Sequence, residues 1–432
     1  MRLITLFALA ASVAAAQPVS RPLHPLIQQA VGEISERRIS ATIHKLASFG
    51  SRNSNGVVAG EDKGVAAAGR WIHSELASYG GKLQVRYQPF PVKKGGRFVR
   101  DTEIVNVLAV LPGTTQPDVF ILVGAHYDSL HIKSKPGAGA AGWDMEATAA
   151  AEDAPGAADN ASGVACVMEL ARVLANRPLE KTVVFIAFSG EEQGLVGAGG
   201  YAQQAREKKE RIEAVLNVDT IGTDVTGSGI AAGPRVNVYS GDPMDSPSRS
   251  LARLVHDVAG RYLPGFAANP VFRSDRFGRG GDHTPFHQAG FAAVRFTTPT
   301  EQLENQHNGL DTPDRVSMPY TTNVTRAVGA ALMHLALAPK PPVVGVLGRG
   351  ASRYDADLRW KQDAPEADLA GYSVLVRSTT APFWEREIFV GNTDRTTLKN
   401  VLIDEVVLGV RAIDKDGLES LASAWAIRER GR

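Results

Sequence analysis

Two hydrophobic periods take turns along most of the chain. The segment 65–79 (VAAAGRWIHSELASY) places apolar residues at helical spacing, whereas 81–90 alternates and 103–111 (EIVNVLAVL) is a branched apolar run closed by Pro112 and Gly113. From there runs of each kind follow one another: a strand is predicted over 119–125, a helix over 162–175, a strand over 181–188, a helix over 198–208 and a strand over 214–218. The same reading predicts a helix over 247–259, a short helix at 284–289, a strand over 291–296 and a helix over 321–337. Strands that are apolar throughout must be covered on both faces, and strands joined through helices run parallel. The expected architecture is α/β, a mostly parallel central sheet with helices on both faces.

The pattern breaks twice. Residues 131–158 are rich in Gly, Ala and acidic residues without a sustained period, and a loop of that length usually serves a site. At Ala338-Pro339-Lys340-Pro341-Pro342, successive prolines end the preceding helix and stiffen a linker. Beyond it, short alternating strands at 358–360, 372–376 and 406–412, with a turn at 414–417, predict a small all-β sandwich. The expected division is a leader over 1–16, a catalytic domain over 17–338 and a β module over 341–432.

The leader has Arg2, an apolar run over 3–15, and small residues Ala14 and Ala16 placed for cleavage before Gln17, the pattern of a secretory signal peptide. That run is shorter than the ~20 residues that span a bilayer, and no later stretch is long and apolar enough to do so. The sequence therefore predicts a periplasmic or secreted protein. Over 432 residues, 44% hydrophobic and 22% charged, the net charge of +1 creates no field that would draw nucleic acid. Cys166 is the lone cysteine, so no intramolecular disulfide is available, and it falls on the apolar face of a predicted helix.

Candidate chemistry gathers at predicted strand ends. His126-Tyr127-Asp128 follows the strand over 119–125, and the carboxylate of such a His-x-Asp pair is able to take one ring N–H and leave the other nitrogen for a metal. Ser189-Gly190-Glu191-Glu192 follows an apolar strand, and a cation beside the adjacent carboxylates relieves their repulsion. Asp219 closes the strand over 214–218. Two loops add Asp159, just before a helix, and His307 in Asn305-Gln306-His307-Asn308. Each cluster alone reads as readily as a cap or a surface pair. Together they put two imidazoles and three carboxylates on one sheet edge, where ligands bind in parallel sheets, and nitrogen and oxygen donors suit zinc. Two divalent ions outweigh three carboxylates in charge, and the residual positive field acidifies a bound water. One carboxylate beyond the ligand set, Glu191 or Glu192, is left to take its proton.

In order, HYDS, PGAADNASG, FSGEEQGLVG, NVDTIG, GGDHTPF and QHNGLDT make residues 40–338 resemble the secreted leucyl-type aminopeptidases of metallopeptidase family twenty-eight. The resemblance implies two Zn2+ ions held by His126, Asp159, Glu192, Asp219 and His307, with Asp159 shared and Glu192 and Asp219 giving one carboxylate to each metal. It implies Glu191 as general base and Asp128 as the orienting partner of His126. Asp282 and His283 match family residues in a supporting role beside the substrate. On a strand end neighbouring side chains point to opposite sides, so one of Glu191 and Glu192 is expected to face a given metal and the other the water. Where many members carry Tyr before the last histidine this chain has Gln306, which leaves His283 as the candidate to polarise the scissile carbonyl. The C-terminal part is similar to a fibronectin type III domain, with Trp360 and Tyr372 in the places of its core aromatics, and implies a spacing or attachment module.

The implied reaction is hydrolysis of the N-terminal peptide bond of peptides by a zinc-held hydroxide. Two alternatives share the fold: a glutaminyl cyclase, and a carboxypeptidase acting on acidic peptides. The cyclases usually depart from Asp-Asn-Ala-Ser-Gly, insert residues after their Glu-Glu pair and place Trp before the last histidine. Here 159–163 is intact, Glu192 runs directly into Gln193-Gly194, and the residue before His307 is Gln306.

Overall fold

The computed structural model describes residues 21–56, 61–137, 142–347, 354–362 and 366–427. The expected leader over 1–16 lies outside them. Two compact units separate by their internal contacts, Leu23–Ala338 and the described residues from Pro339 onward together with Arg21 and Pro22.

The larger unit is built on eight strands: β1 (Gln84–Val92), β2 (Thr102–Leu111), β3 (Gln116–His126), β4 (Lys181–Phe188), β5 (Arg211–Val218), β6 (Arg235–Ser240), β7 (Ala267–Val271) and β8 (Ala293–Thr297). They lie in the order β1-β2-β4-β3-β5-β8-β6-β7. The centre, β4-β3-β5-β8, is parallel, while β1, β2 and β6 add antiparallel pairings toward the edges. The sheet is thus α/β and mostly parallel, as the apolar runs predict. Every residue of β4 is buried, because helices cover both of its faces. Val184, Ile186 and Phe188 pack with Ala198, Tyr201 and Phe286 of helices Val196–Glu207 and His283–Ala289. The alternate residues turn to the other face, where helices Ser162–Leu174 and Met318–Leu337 lie against β3 and β4.

β6 and β7 are absent from the sequence-based expectation. Pro270 interrupts β7, and only Val236, Val238 and Ser240 of β6 and Ala268 of β7 are buried, so neither carries a continuous apolar run. Among its described residues the long segment 131–158 includes a short helix, Met145–Ala149, started by Asp144, whose side chain accepts the Ala147 N–H at 3.0 Å.

The smaller unit forms an antiparallel four-stranded sheet centred on Leu369–Ser378 and Val406–Asp414, and a three-stranded sheet centred on Ala356–Lys361. Trp360, Tyr372, Val374, Val410 and Trp425 make its core. Among the described residues no helix is long and apolar enough to cross a membrane.

Candidate metal centre

The carboxyl ends of β3, β4 and β5 fall on one edge, and each is prolonged by a residue or more that carries chemistry. β3 ends on His126 itself, and the next N–H, of Tyr127, donates to the Phe188 carbonyl at the end of β4 (2.9 Å). Asp219 follows β5 and donates its N–H to the Phe296 carbonyl of β8 (3.0 Å). Asp159 comes from the loop before helix Ser162–Leu174, in a cis peptide with Asn160. The Asn160 side chain ties that loop to β5, donating to the Val218 carbonyl (2.9 Å) and accepting from the N–H groups of Gly163 (3.0 Å) and Thr220 (3.2 Å). His307 arrives from the loop after β8 with φ of 55°, a region costly for a residue with a Cβ, and the Ile132 N–H anchors its carbonyl at 2.9 Å.

These elements bring the five sequence-predicted ligands together. Asp159 spans the two imidazoles, with Oδ1 3.3 Å from His126 Nε2 and Oδ2 3.2 Å from His307 Nε2. Asp219 Oδ1 lies 3.6 Å from His126 Nε2, and Glu192 Oε1 lies 3.3 Å from His307 Nε2. The result is two triads, His126-Asp159-Asp219 and Asp159-Glu192-His307, sharing Asp159, with one potential ligand atom per residue within 4.8 Å of the others in its triad. Glu191 stands outside both but groups with His126 and Glu192 at the same separation.

The residues fit a divalent metal. His126, Asp159, Glu192 and Asp219 are buried, and Glu192 Oε1 has no hydrogen-bond donor. Buried carboxylates at this density require compensating positive charge. Burial opposes a charged His126, yet Asp128, Asp159 and Asp219 raise its pKa well above the usual value. Burial likewise opposes a charged His307, but Glu192 and Asp159 raise it well above the ordinary range. Asp159 resists burial through the same two histidines and is held well below the ordinary range, and Asp219, against burial, is held at about 2 by Arg295 and His126. Burial pushes Glu191 well up, with His126 opposing and Glu192 adding. All these directions describe one field, which favours positive charge between the carboxylates and a carboxyl able to hold a proton beside them.

Three expectations change in the structure. The His126 ring is oriented by Asp128 through the backbone: Nδ1 is 3.1 Å from the Asp128 carbonyl oxygen and 3.7 Å from its carboxylate. The carboxylate instead accepts the N–H groups of Glu191 and Glu192, each at 3.3 Å, and so holds the turn that carries them. That turn is also why Glu191 and Glu192 do not point apart. Residues 189–195 leave the strand, with Gly190 and Leu195 at positive φ, so strand alternation does not apply and both side chains line one cavity. Asp282 and His283 do not line it. His283 is fully buried, with Nε2 2.7 Å from the Ser274 carbonyl oxygen, and is unsuited to polarise a substrate; Asp282 is buried with both carboxylate oxygens unpartnered.

Sequence reasoning missed the groups that brace the ligands. Buried Arg52 donates to the carbonyls of Tyr127 (2.6 Å), Leu46 (3.0 Å), Pro155 (2.5 Å) and Gly156 (2.9 Å), joining the loops of His126 and Asp159. The Asp311 carboxylate accepts the N–H groups of Ala158 (2.8 Å) and Asp159 (2.9 Å). The local signals were an arginine inside an apolar strand, Arg295 in β8, and the place of Asp311 in the QHNGLDT motif.

The site opens into a cavity of about 450 Å3 whose lining includes both glutamates, Trp143 and Arg97. The profile of Peptidase family M28 matches residues 106–332, which includes every one of the five clustered candidate ligand residues. This chain belongs to peptidase family M28. Among the M28 relatives, a probable zinc metalloprotease of Pyrenophora tritici-repentis (strain Pt-1C-BFP) is 32% identical over 432 residues, covering 92% of this chain and 96% of that one. The fold is also that of an aminopeptidase from Aneurinibacillus sp. strain AM-1, at a TM-score of 0.54 and 19% identity over 72% of this chain and 96% of the other. It is equally that of a glutaminyl cyclase of Fimbriiglobus ruber, at a TM-score of 0.51 and 18% identity over 69% of this chain and 95% of the other. The fold of this M28 chain therefore does not choose between peptide hydrolysis and cyclisation, and the side chains of the site must.

Proposed function

We propose that this M28 chain is an exported aminopeptidase that binds two zinc ions and releases the N-terminal residue of peptides. The observation that carries the reading is the pair of triads sharing Asp159, with Glu191 left over beside them. His126, Asp159 and Asp219 would hold one zinc, and Asp159, Glu192 and His307 the other. Zinc bound there supplies Lewis acidity toward the scissile carbonyl and a nucleophile at neutral pH. Glu191 takes the proton of the attacking water and delivers it to the leaving amine as the C–N bond breaks, which its raised affinity for a proton supports. The carboxylates around the cavity hold the free α-amine of the substrate, which restricts cleavage to the first residue. The Asp128 carboxylate keeps Glu191 and Glu192 at fixed separation through their N–H groups.

Export is supported by Arg2 and the apolar run before Gln17. The two antiparallel sheets around Trp360 and Tyr372 support reading the C-terminal unit as a fibronectin type III-like module used for spacing or attachment. The test is a digest of an unblocked peptide mixture beside its N-acetylated counterpart, read by mass spectrometry. Stepwise loss from the free peptides alone, abolished by a chelator and restored by zinc, is the expected result. Equal cleavage of both sets overturns the aminopeptidase reading, and loss of ammonia from N-terminal Gln without hydrolysis assigns the cyclase instead.

A further inference from the structure

Four arginines line the cavity: Arg97, Arg276, Arg279 and Arg295. Three of them are engaged by carboxylates. Arg295 pairs with Asp219 (3.0 Å) and Asp275 (3.1 Å), Arg276 with Asp275 (3.1 Å) and Glu301 (2.7 Å), and Arg279 with Glu301 (3.3 Å). Arg97 differs. Among the described residues no carboxylate pairs with it, and the stretches 57–60 and 138–141 of the same unit contain no Asp or Glu.

Arg97 is nonetheless held in place. Its backbone carbonyl accepts the Asn55 amide (2.7 Å), its guanidinium lies 4.9 Å from the Trp143 ring centre, and Nη1 donates to the Glu192 carbonyl at 3.0 Å. One of the five guanidinium N–H groups is thereby used, and the rest of an exposed, pre-positioned fork remains for a ligand. A guanidinium fork matches a carboxylate in shape and charge. Arg97 rests on the main chain of Glu192 and shares one cavity with His126, Asp159, Asp219 and His307. A peptide advances at most about 3.6 Å per residue, so a substrate whose scissile bond sits at the ligand atoms keeps its adjoining residue inside the cavity that Arg97 also lines.

We propose that Arg97 binds a substrate carboxylate carried by the residue that follows the scissile bond, which rests on the exopeptidase reading above and gives it a substrate class. The carboxylate comes from one of two sources: the free C-terminus of a dipeptide, or an acidic side chain. Trp143 and the Glu192 carbonyl fix the guanidinium, so its ordering cost is met before substrate arrives.

The experiment compares kcat/KM of the zinc-loaded protein on Leu-Ala with Leu-Ala-amide, and on Leu-Asp-amide with Leu-Asn-amide, for the native chain, Arg97→Gln and Arg97→Lys. In parallel, calorimetry measures Kd for uncleavable Leu-Ala analogues with CH2 in place of the scissile carbonyl, as carboxylate and as amide, together with the matching Asp and Asn analogues. One charged member should be favoured at least about tenfold by the native chain, in KM and in Kd. Arg97→Gln should collapse that ratio toward one, and Arg97→Lys should keep part of it; the pair that responds names the source. No preference in either pair, or a preference that survives Arg97→Gln, overturns the proposal. If no peptide is hydrolysed, the exopeptidase reading falls, while the calorimetric ratio still decides whether Arg97 binds a carboxylate.

Discussion

Arg295 forms an ion pair with Oδ2 of Asp219 at 3.0 Å and leaves Oδ1 of the same carboxylate facing His126. The guanidinium also donates to Asp275 and to the Gly280 carbonyl (2.8 Å), so one buried cation from β8 fixes which edge of Asp219 meets the site. Removing one partner of a buried pair costs about 3–5 kcal/mol, because the remaining charges are left without compensation. Arg295→Met should therefore unfold at a clearly lower urea concentration than the native chain and bind zinc more weakly. An unchanged midpoint would show that Asp219 and Asp275 are neutral or hydrated in the folded state.

The adjacent glutamates should differ in kind although both face one cavity. Glu191→Gln should keep its zinc and lose about 10²–10⁴-fold in turnover, the usual share of a general base. Glu192→Gln removes an anionic donor from a triad of three and should lower the zinc content. Elemental analysis beside turnover for each purified variant checks both. Metal lost from Glu191→Gln and kept by Glu192→Gln would reverse the two roles.

Asp311 touches neither imidazole but accepts the N–H groups that lead into Asp159. Asp311→Asn turns one acceptor into a donor facing an N–H. Zinc affinity should fall about 10–100-fold, the usual effect of losing a group that orients a ligand, with little change in secondary structure. Competition with a chromophoric chelator measures the affinity, and unchanged affinity would confine Asp311 to the loop fold.

His283 ties acid sensitivity to the fold. Burial, opposed by Asp275 and assisted by Arg295, lowers its pKa from 6.5 to about 4. The folded state thus keeps the ring neutral where the unfolded chain has begun to protonate it. Its contribution is full above about pH 6.5 and is lost as pH falls toward 4, since the unfolded state then binds the extra proton. Urea midpoints from pH 8 to 4 should fall more steeply for the native chain than for His283→Asn, and parallel curves would remove His283 as the cause.

Much of the larger unit was legible because its central strands are apolar on both faces. β4 appears at its full length in the residue pattern, and β6 and the edge strand β7 do not, since a short, partly buried strand lacks the run that marks a fully buried one. The candidate ligand residues were legible for a related reason. A His or carboxylate at the end of an apolar strand contrasts with what precedes it, and several ordered motifs reinforce that contrast. Arg52 offered none, standing in a polar loop where such a residue is ordinary, and Asp311, although inside QHNGLDT, had no apolar strand before it to mark it.

By itself the sequence determined the α/β sheet, the two imidazoles, the surplus carboxylate and their order along the chain, because hydrophobic period and residue type are local properties. Only the tertiary structure decided that Asp159 faces both histidines, that the Asp128 carboxylate accepts the N–H groups of the Glu191–Glu192 turn while its backbone carbonyl meets the His126 ring, and that Arg97 enters the cavity without a carboxylate partner among the described residues. Those relations join residues far apart in the chain, at distances of a few ångströms that no local pattern encodes. They exist once the parallel strand ends converge on one edge and burial forces each charge to find its partner.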